Sequence, residues 1–237
     1  PSLASTLPFL LMIALCLIAA RWQWQRAEVK QQRALEFAAA TTSGESRLLS
    51  VALDSPLATG FERVQIKGRL KSDQILLLDN RIRDGQYGVD VYLPLQDDKG
   101  RSILLGMGWV SADRSRRVAP PIPPLPDTID GTALLVAPPA SGLKLGVETI
   151  PPDAPFPLLL SRIDIVALRQ KLDLAELPDR IAILAPDYPQ PGFVRDWQLP
   201  GIGVERHRGY ALQWLSFALG TLVFLILWHR PRKAPHS

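Results

Sequence analysis

The sequence predicts a membrane protein in which two transmembrane α-helices flank a β-rich α+β domain with a mostly antiparallel sheet. Three observations predict it. No charged residue falls between Ser2 and Ala20, none falls between Tyr210 and Trp228, and the chain between them is broken into short branched and aromatic runs punctuated by turn residues. A helix rises about 1.5 Å per residue and must cross about 30 Å of hydrocarbon, so each charge-free segment is long enough to span. Elsewhere the longest apolar runs, such as Ile75 to Leu78 and Ala133 to Ala137, have strand lengths, which limits the crossings to two.

The first membrane segment, residues 2–24, ends in Ala19-Ala20 and passes at once into Arg21-Trp22-Gln23-Trp24. Indole rings suit the headgroup level because each has an apolar body and one polar edge. A cleaved secretory signal is the competing reading, but the segment is long for one and leads into an interface belt. Residues 25–40, from Gln25 through Glu36, are strong helix formers that carry the helix out of the bilayer to about Ala39, where Thr41-Thr42-Ser43-Gly44 stops it.

The water-exposed domain occupies residues 41–206. Its first four strands are expected at Phe61 to Leu70, Gln74 to Ile82, Val89 to Leu95 and Arg101 to Val110, the last pair joined through Gln96-Asp97-Asp98-Lys99-Gly100. The Pro-rich stretch from Ala119 to Pro126 reads as an extended connector. Strands follow at Ile129 to Ala137, Phe156 to Ile163 and Arg180 to Leu184, with one amphipathic helix over Ile163 to Leu172. The second membrane helix is expected over residues 207–229 and a basic tail over 230–237.

The chain carries 27 Lys and Arg against 23 Asp and Glu, but Arg230, Arg232 and Lys233 lie in the tail, so the domain itself is within one charge of neutral. That excludes a nucleic-acid footprint. Basic residues just beyond a helix end favour the cytoplasmic side, which puts both termini in the cytoplasm and the domain in the periplasm, although Arg26, Lys30 and Arg33 pull weakly the other way. With no Arg- and Ser-rich transit segment ahead of the first helix, the expected location is a bacterial inner membrane. The single cysteine, Cys16, sits inside the first membrane segment and rules out an intrachain disulfide or a Cys-based metal site.

The inventory for catalysis is short. Histidines occur only at 207, 229 and 236, so the domain lacks a His-based triad and any His cluster at metal-ligand spacing. Gly106-Met107-Gly108 and Gly201-Ile202-Gly203 are too short for a phosphate loop and read as turns, and the pair Asp97-Asp98 reads as loop solvation. The chain is therefore not expected to be an enzyme, and no metal other than a haem iron is expected.

What remains is concentrated at the membrane boundary. His207, Tyr210, Ala211, Trp214, Phe217 and Ala218 follow i, i+3, i+4, i+7, i+10, i+11, which reads as one helix face with a histidine at the water boundary and a flat, apolar surface below it. Arg206 and Arg208 flank the histidine, and on the first helix Trp22 and Arg26 share a face. An imidazole above an aromatic slot with arginines nearby suits an axially ligated haem whose propionates seek cations. Trp, Tyr, Arg and His are also ordinary bilayer-interface anchors, and helix spacing does not separate the two readings.

These residues, with landmarks of the domain, resemble the Surfeit locus protein 1 family of cytochrome oxidase assembly factors. The resemblance rests on Trp22-Gln23-Trp24-Gln25-Arg26-Ala27-Glu28 with Lys30, on Phe61, Val64, Gly68, Asp79-Asn80-Arg81, Gly85, Gly88, Pro94, Gly100 and Gly108-Trp109-Val110, and on Arg206-His207-Arg208-Gly209-Tyr210-Ala211-Leu212-Gln213-Trp214. It departs at Gly106-Met107, where the family usually has Asn-Arg, and ahead of His207, where the family often has Pro and this chain has Glu205 one position further back.

The resemblance implies a non-enzymatic factor that matures haem–copper oxidase subunit I, binding haem a transiently and assisting its insertion. It implies His207 as axial ligand of the haem iron; read with the helix faces above, Tyr210 and Trp214 are the expected packing surface, Arg26, Arg206 and Arg208 the expected propionate partners, and Trp22 a further expected haem-binding residue. Implied partners are subunit I, other oxidase subunits or assembly factors, haem a synthesis enzymes and the bilayer, with no nucleic acid. The alternative it leaves open is a haem-free scaffold that stabilises an oxidase assembly intermediate.

Overall fold

The structure is a computed structural model that describes residues 3–54, 60–115, 118–139, 150–197 and 203–230. The expectations for Gly201-Ile202 and for the tail residues Arg232, Lys233 and His236 fall outside these. In chain order the elements are α1 (Leu3–Thr42), β1 (Arg47–Leu48), α2 (Leu49–Asp54), β2 (Glu62–Leu70), β3 (Leu76–Arg83), β4 (Gln86–Gln96), β5 (Ser102–Ser111), β6 (Thr128–Val136), β7 (Leu158–Leu160), α3 (Ile165–Leu172), β8 (Ile181–Leu184) and α4 (Val204–His229). They fall into two compact units, one made by the long helices and the other spanning Glu36–Gln198.

Two long apolar helices near the termini thus flank an eight-stranded mixed sheet, as the sequence predicts. Both helices are long and apolar enough to cross a membrane, with mean hydropathies of 1.8 and 1.9 over their most apolar stretches. On α1 the shielded positions include Phe9, Ile13, Cys16, Ala20, Gln23, Ala27 and Lys30, which alternate steps of four and three, with Ala19 shielded beside Ala20. That seven-residue period keeps one seam facing a partner helix. The partner is α4, whose buried residues Ala211, Ala218 and Leu225 also recur every seven. The pair is antiparallel: Thr6 meets His229, Phe9 meets Phe224 at 5.5 Å and Gln23 meets His207, so one numbering rises as the other falls. Small side chains at Cys16, Ala20, Ala27, Ala211 and Ala218 are buried along this seam, the residue sizes that suit helix packing in a membrane.

The helix α1 runs through Thr41 and Thr42 instead of stopping at about Ala39, because the Thr41 hydroxyl donates back to Phe37 O at 2.9 Å and needs no break in the ladder. From Glu36 onward it belongs to the sheet unit, where Phe37 packs edge-on against Phe61 at 5.1 Å.

In the sheet unit the strand order is β1-β2-β6-β8-β5-β4-β3-β7, with β2 also paired to β4. That extra pairing, Arg69 with Gln96 and Leu70 with Leu95, curls the sheet so that β2, β6, β8, β5 and β4 form a closed ring. Closure needs Gly68, since a Cβ there would run into the Gln96 carbonyl. Alternation then sorts the side chains. Val91, Leu93, Leu95, Ile103, Leu105, Met107, Leu135 and Leu184 fill the ring, whereas Leu76, Tyr92, Leu104, Leu134 and Ile181 point outward beneath Ile165, Leu168 and Leu172 of α3. Most pairings are antiparallel; β1–β2, β3–β7 and β5–β8 are parallel.

Four expectations are corrected. Gly106-Met107-Gly108 is not a turn but the middle of β5, where Val91 pairs with Gly108 and Tyr92 with Gly106, so Met107 is the extra residue of a β-bulge. Gly108 takes φ 129°, open to glycine alone, and the bulge buries Met107 completely in the ring. Asp97 is no solvated loop residue: its side chain is 7% exposed and accepts from Lys99 N, Arg101 N and the Arg101 guanidinium. The strand expected from Phe156 shrinks to Leu158–Leu160 because Pro157 cannot donate to the ladder. Asp164 lies ahead of its helix, as an N-cap accepting from Val166 N and Ala167 N.

Candidate functional site

The sequence places its site residues on α1 and α4, and the structure separates them by direction. Ala211 and Ala218 are 1% and 5% exposed against α1, but Tyr210, Trp214 and Phe217 are 43%, 37% and 49% exposed. The expected single face is therefore two adjoining ones. At 100° per residue the set spans an arc of about 120°, and only its edge coincides with the seven-residue packing seam. Trp214 and Phe217 meet edge-on at 5.8 Å, forming an outward aromatic ridge one side of that seam.

His207 stands on the seam itself, half-buried, at the end of α4 where the ridge begins. Its Nδ1 lies 2.8 Å from Oε1 of Gln23 on α1. Gln23 occupies the packing position between Ala20 and Ala27 and is half-buried there. In the sequence the signal for Gln23 is a polar residue on a line of small and apolar ones, a line that the burial of α1 makes visible.

The arginines are not equivalent. Arg208 is committed within the helix pair, its guanidinium donating to Gln31 Oε1 at 2.7 Å and pairing with Glu205 at 3.3 Å. Arg206 is exposed. Arg26 is exposed too and lies over the Trp22 ring at 5.5 Å, as their shared face predicts. Trp24 donates to Glu28 at 3.0 Å. An apolar groove of about 510 Å³, lined by Pro8, Phe9, Met12, Gly220, Thr221 and Phe224, lies at the other end of the pair.

Among the described residues no three His, Cys, Asp or Glu side chains converge closely enough to hold a metal ion. The sheet unit instead uses its polar residues for scaffolding. Asp90, nearly buried, accepts from Arg81 Nε at 2.6 Å and faces Arg83 at 3.7 Å, and Arg83 pairs with Asp196. The Tyr87 hydroxyl donates to Asp79, and Trp109 Nε1 donates to Arg81 O at 2.7 Å. Burial, aided by the Asp90 charge, pushes the Tyr92 phenol well above its ordinary range. Arg180 and Arg195 are pulled down by burial, the Glu62 carboxylate opposing it at Arg180.

Fold and geometry together define a class: a chain in which two membrane-length helices flank, in sequence, an eight-stranded mixed sheet, with a histidine–glutamine contact between the helices. The model of the SURF1 family matches residues 10–219, and the chain belongs to that family. Membership implies a role in cytochrome oxidase assembly and interaction with the oxidase assembly machinery, as an assembly factor and not an enzyme. No curated protein matches the chain.

Proposed function

We propose that this protein receives haem a in the membrane and presents it to subunit I of a haem–copper oxidase, with His207 as the axial ligand of the iron. The observation that carries this reading is the position of His207, on the helix seam with Nδ1 engaged by Gln23 at 2.8 Å and the exposed Tyr210, Trp214 and Phe217 ridge descending from it. An imidazole held by one nitrogen offers the other to a metal, the donor arrangement an axially ligated haem uses. The exposed rings of Tyr210, Trp214 and Trp22 supply flat apolar surface for the macrocycle. The exposed guanidiniums of Arg26 and Arg206 remain for propionates, with Arg208 the third candidate once its contact with Gln31 opens.

A carrier must release its cargo. One protein ligand with an exchangeable second position, on an outward ridge instead of an enclosed pocket, gives moderate affinity and an open path toward subunit I. In this reading residues 2–24 and 207–229 span a bacterial inner membrane, the domain of residues 41–206 faces the periplasm and both termini face the cytoplasm.

The test is the absorbance spectrum of the full chain purified after co-expression with haem a synthesis, beside His207→Ala, together with oxidase assembly in cells carrying each. A haem a spectrum lost in the variant, with fewer assembled oxidases, is expected. Haem-free wild-type protein and undiminished assembly with His207→Ala would replace this reading with the haem-free scaffold.

A further inference from the structure

We infer that Gln23 is a positioning residue for the metal-binding form of His207: its side-chain oxygen, reaching across from α1, holds the hydrogen on Nδ1 and leaves the lone pair on Nε2. This deepens the haem reading above and rests on it.

The argument begins with donor chemistry. An amide oxygen only accepts hydrogen bonds, and a neutral imidazole has one N–H and one bare nitrogen. The 2.8 Å contact of Gln23 Oε1 with Nδ1 is a hydrogen bond in the tautomer that carries its hydrogen on Nδ1, and that is the tautomer inferred for His207. The lone pair then resides on Nε2, the end of the ring farther from the backbone. Which nitrogen of a histidine binds metal is generally set by the bond the other one makes, and an acceptor there also raises the ring's basicity.

Packing makes the contact more than incidental. Gln23 lies half-buried between the buried Ala20 and Ala27 on the packing seam, and on the facing helix Ala211 is buried one turn beyond His207. These small neighbours fix the amide within reach of the ring. The bond ties the two helices at the level of Trp22, so the direction of Nε2 depends on how α1 and α4 are seated. Seating of the helices and readiness of the ligand are thereby one variable.

A bond that merely glued the helices together would set the same tautomer but would leave haem affinity and the potential of the iron unchanged when it is lost. In full-length protein in detergent, labelled with ¹⁵N-histidine, His207 is expected as the Nδ1-protonated tautomer, and Gln23→Leu shifts it toward the Nε2-protonated one with unchanged helix content. Haem a titrated into the same samples should bind Gln23→Leu about ten- to a hundredfold more weakly. Gln23→Glu, which keeps an acceptor at the same reach, should restore affinity and lower the midpoint potential of the bound iron.

The outcomes separate the two proposals. If wild type binds haem a, His207→Ala does not, and Gln23→Leu matches wild type in tautomer, affinity and potential, Gln23 has no such role while the haem reading stands. If wild type itself binds no haem a, both are overturned.

Discussion

The indole of Trp109 lies across the α-carbon of Gly88: a Cβ at that glycine would overlap the ring and also the Val110 carbonyl, while Trp109 Nε1 reaches past it to Arg81 O at 2.7 Å. Gly88 and Trp109 stand on adjacent strands, β4 and β5, beside the bulge at Met107. A methyl group there meets backbone as well as ring and has nowhere to go. Gly88→Ala is expected to destabilise the sheet unit by about 1–3 kcal/mol, the usual cost of overpacking, read as a lowered thermal midpoint and altered tryptophan fluorescence. An unchanged midpoint would show that the indole can move.

Asp97 organises the β4–β5 connection from within. Its carboxylate accepts two backbone N–H groups at 3.0 and 2.8 Å and pairs with Arg101 at 2.9 Å. Asp97→Ala removes all of these and should cost about 1–3 kcal/mol, whereas Asp97→Asn keeps an acceptor oxygen and loses chiefly the ion pair. Denaturant midpoints should rank wild type above Asn and Asn above Ala; equal midpoints for Asn and Ala would assign the effect to charge alone.

Tyr92 gives an alkaline signature. Its phenol is raised above the ordinary value of 10.0 by burial, with the Asp90 charge adding to it. Below pH about 10 the folded and unfolded phenols are both protonated and its contribution is fully present. Above that the unfolded phenol ionises first, so stability falls with rising pH, by at most about 1.4 kcal/mol per unit for one proton. The difference in unfolding free energy between Tyr92→Phe and wild type should be constant from pH about 7 to 9 and move in favour of the variant above about 10. A gap that is flat through pH about 11 would contradict the burial argument.

Ala218 sits on the α4 seam and Leu219, its neighbour, is 61% exposed. Ala218→Leu inserts three carbons where the helices touch and should weaken the pair by about 1–3 kcal/mol, seen as faster amide hydrogen exchange in the middle of α4. Leu219→Ala in the same detergent should leave exchange unchanged. Equal effects of the two would mean that the seam is not where the seven-residue spacing places it.

The sheet was legible because its strands, such as Val89 to Leu95 and Arg101 to Val110, are short runs rich in branched and aromatic residues bounded by turn residues. The short elements β1 and α2 gave no such signal, since two and six residues carry too few repeats of any period. The bulge at Met107 was invisible because a glycine-flanked methionine reads as a turn until its partners in β4 are known. Ring closure was invisible too, being a pairing between strands distant in sequence.

At the helix site the residue types were readable and their directions were not. Spacing of three and four grouped Tyr210 and Phe217 with Ala211 and Ala218, but a stripe about 120° wide contains both a seam and its flank. Only the α1 pattern from Phe9 to Lys30, read as heptads, says which edge is buried, and the same pattern singles out Gln23 as polar on that line.

Closing the ring through Gly68 also decides where a second polypeptide could attach itself. Among the described residues the strand order ends at β1 and β7, which are two and three residues long. An intruding strand would find too few free N–H and C=O groups to gain a stable ladder. With Cys16 its lone cysteine, the chain has no disulfide to lock the sheet against rearrangement. Short margins supply that protection by geometry, leaving little exposed ladder for another sheet to join edge to edge.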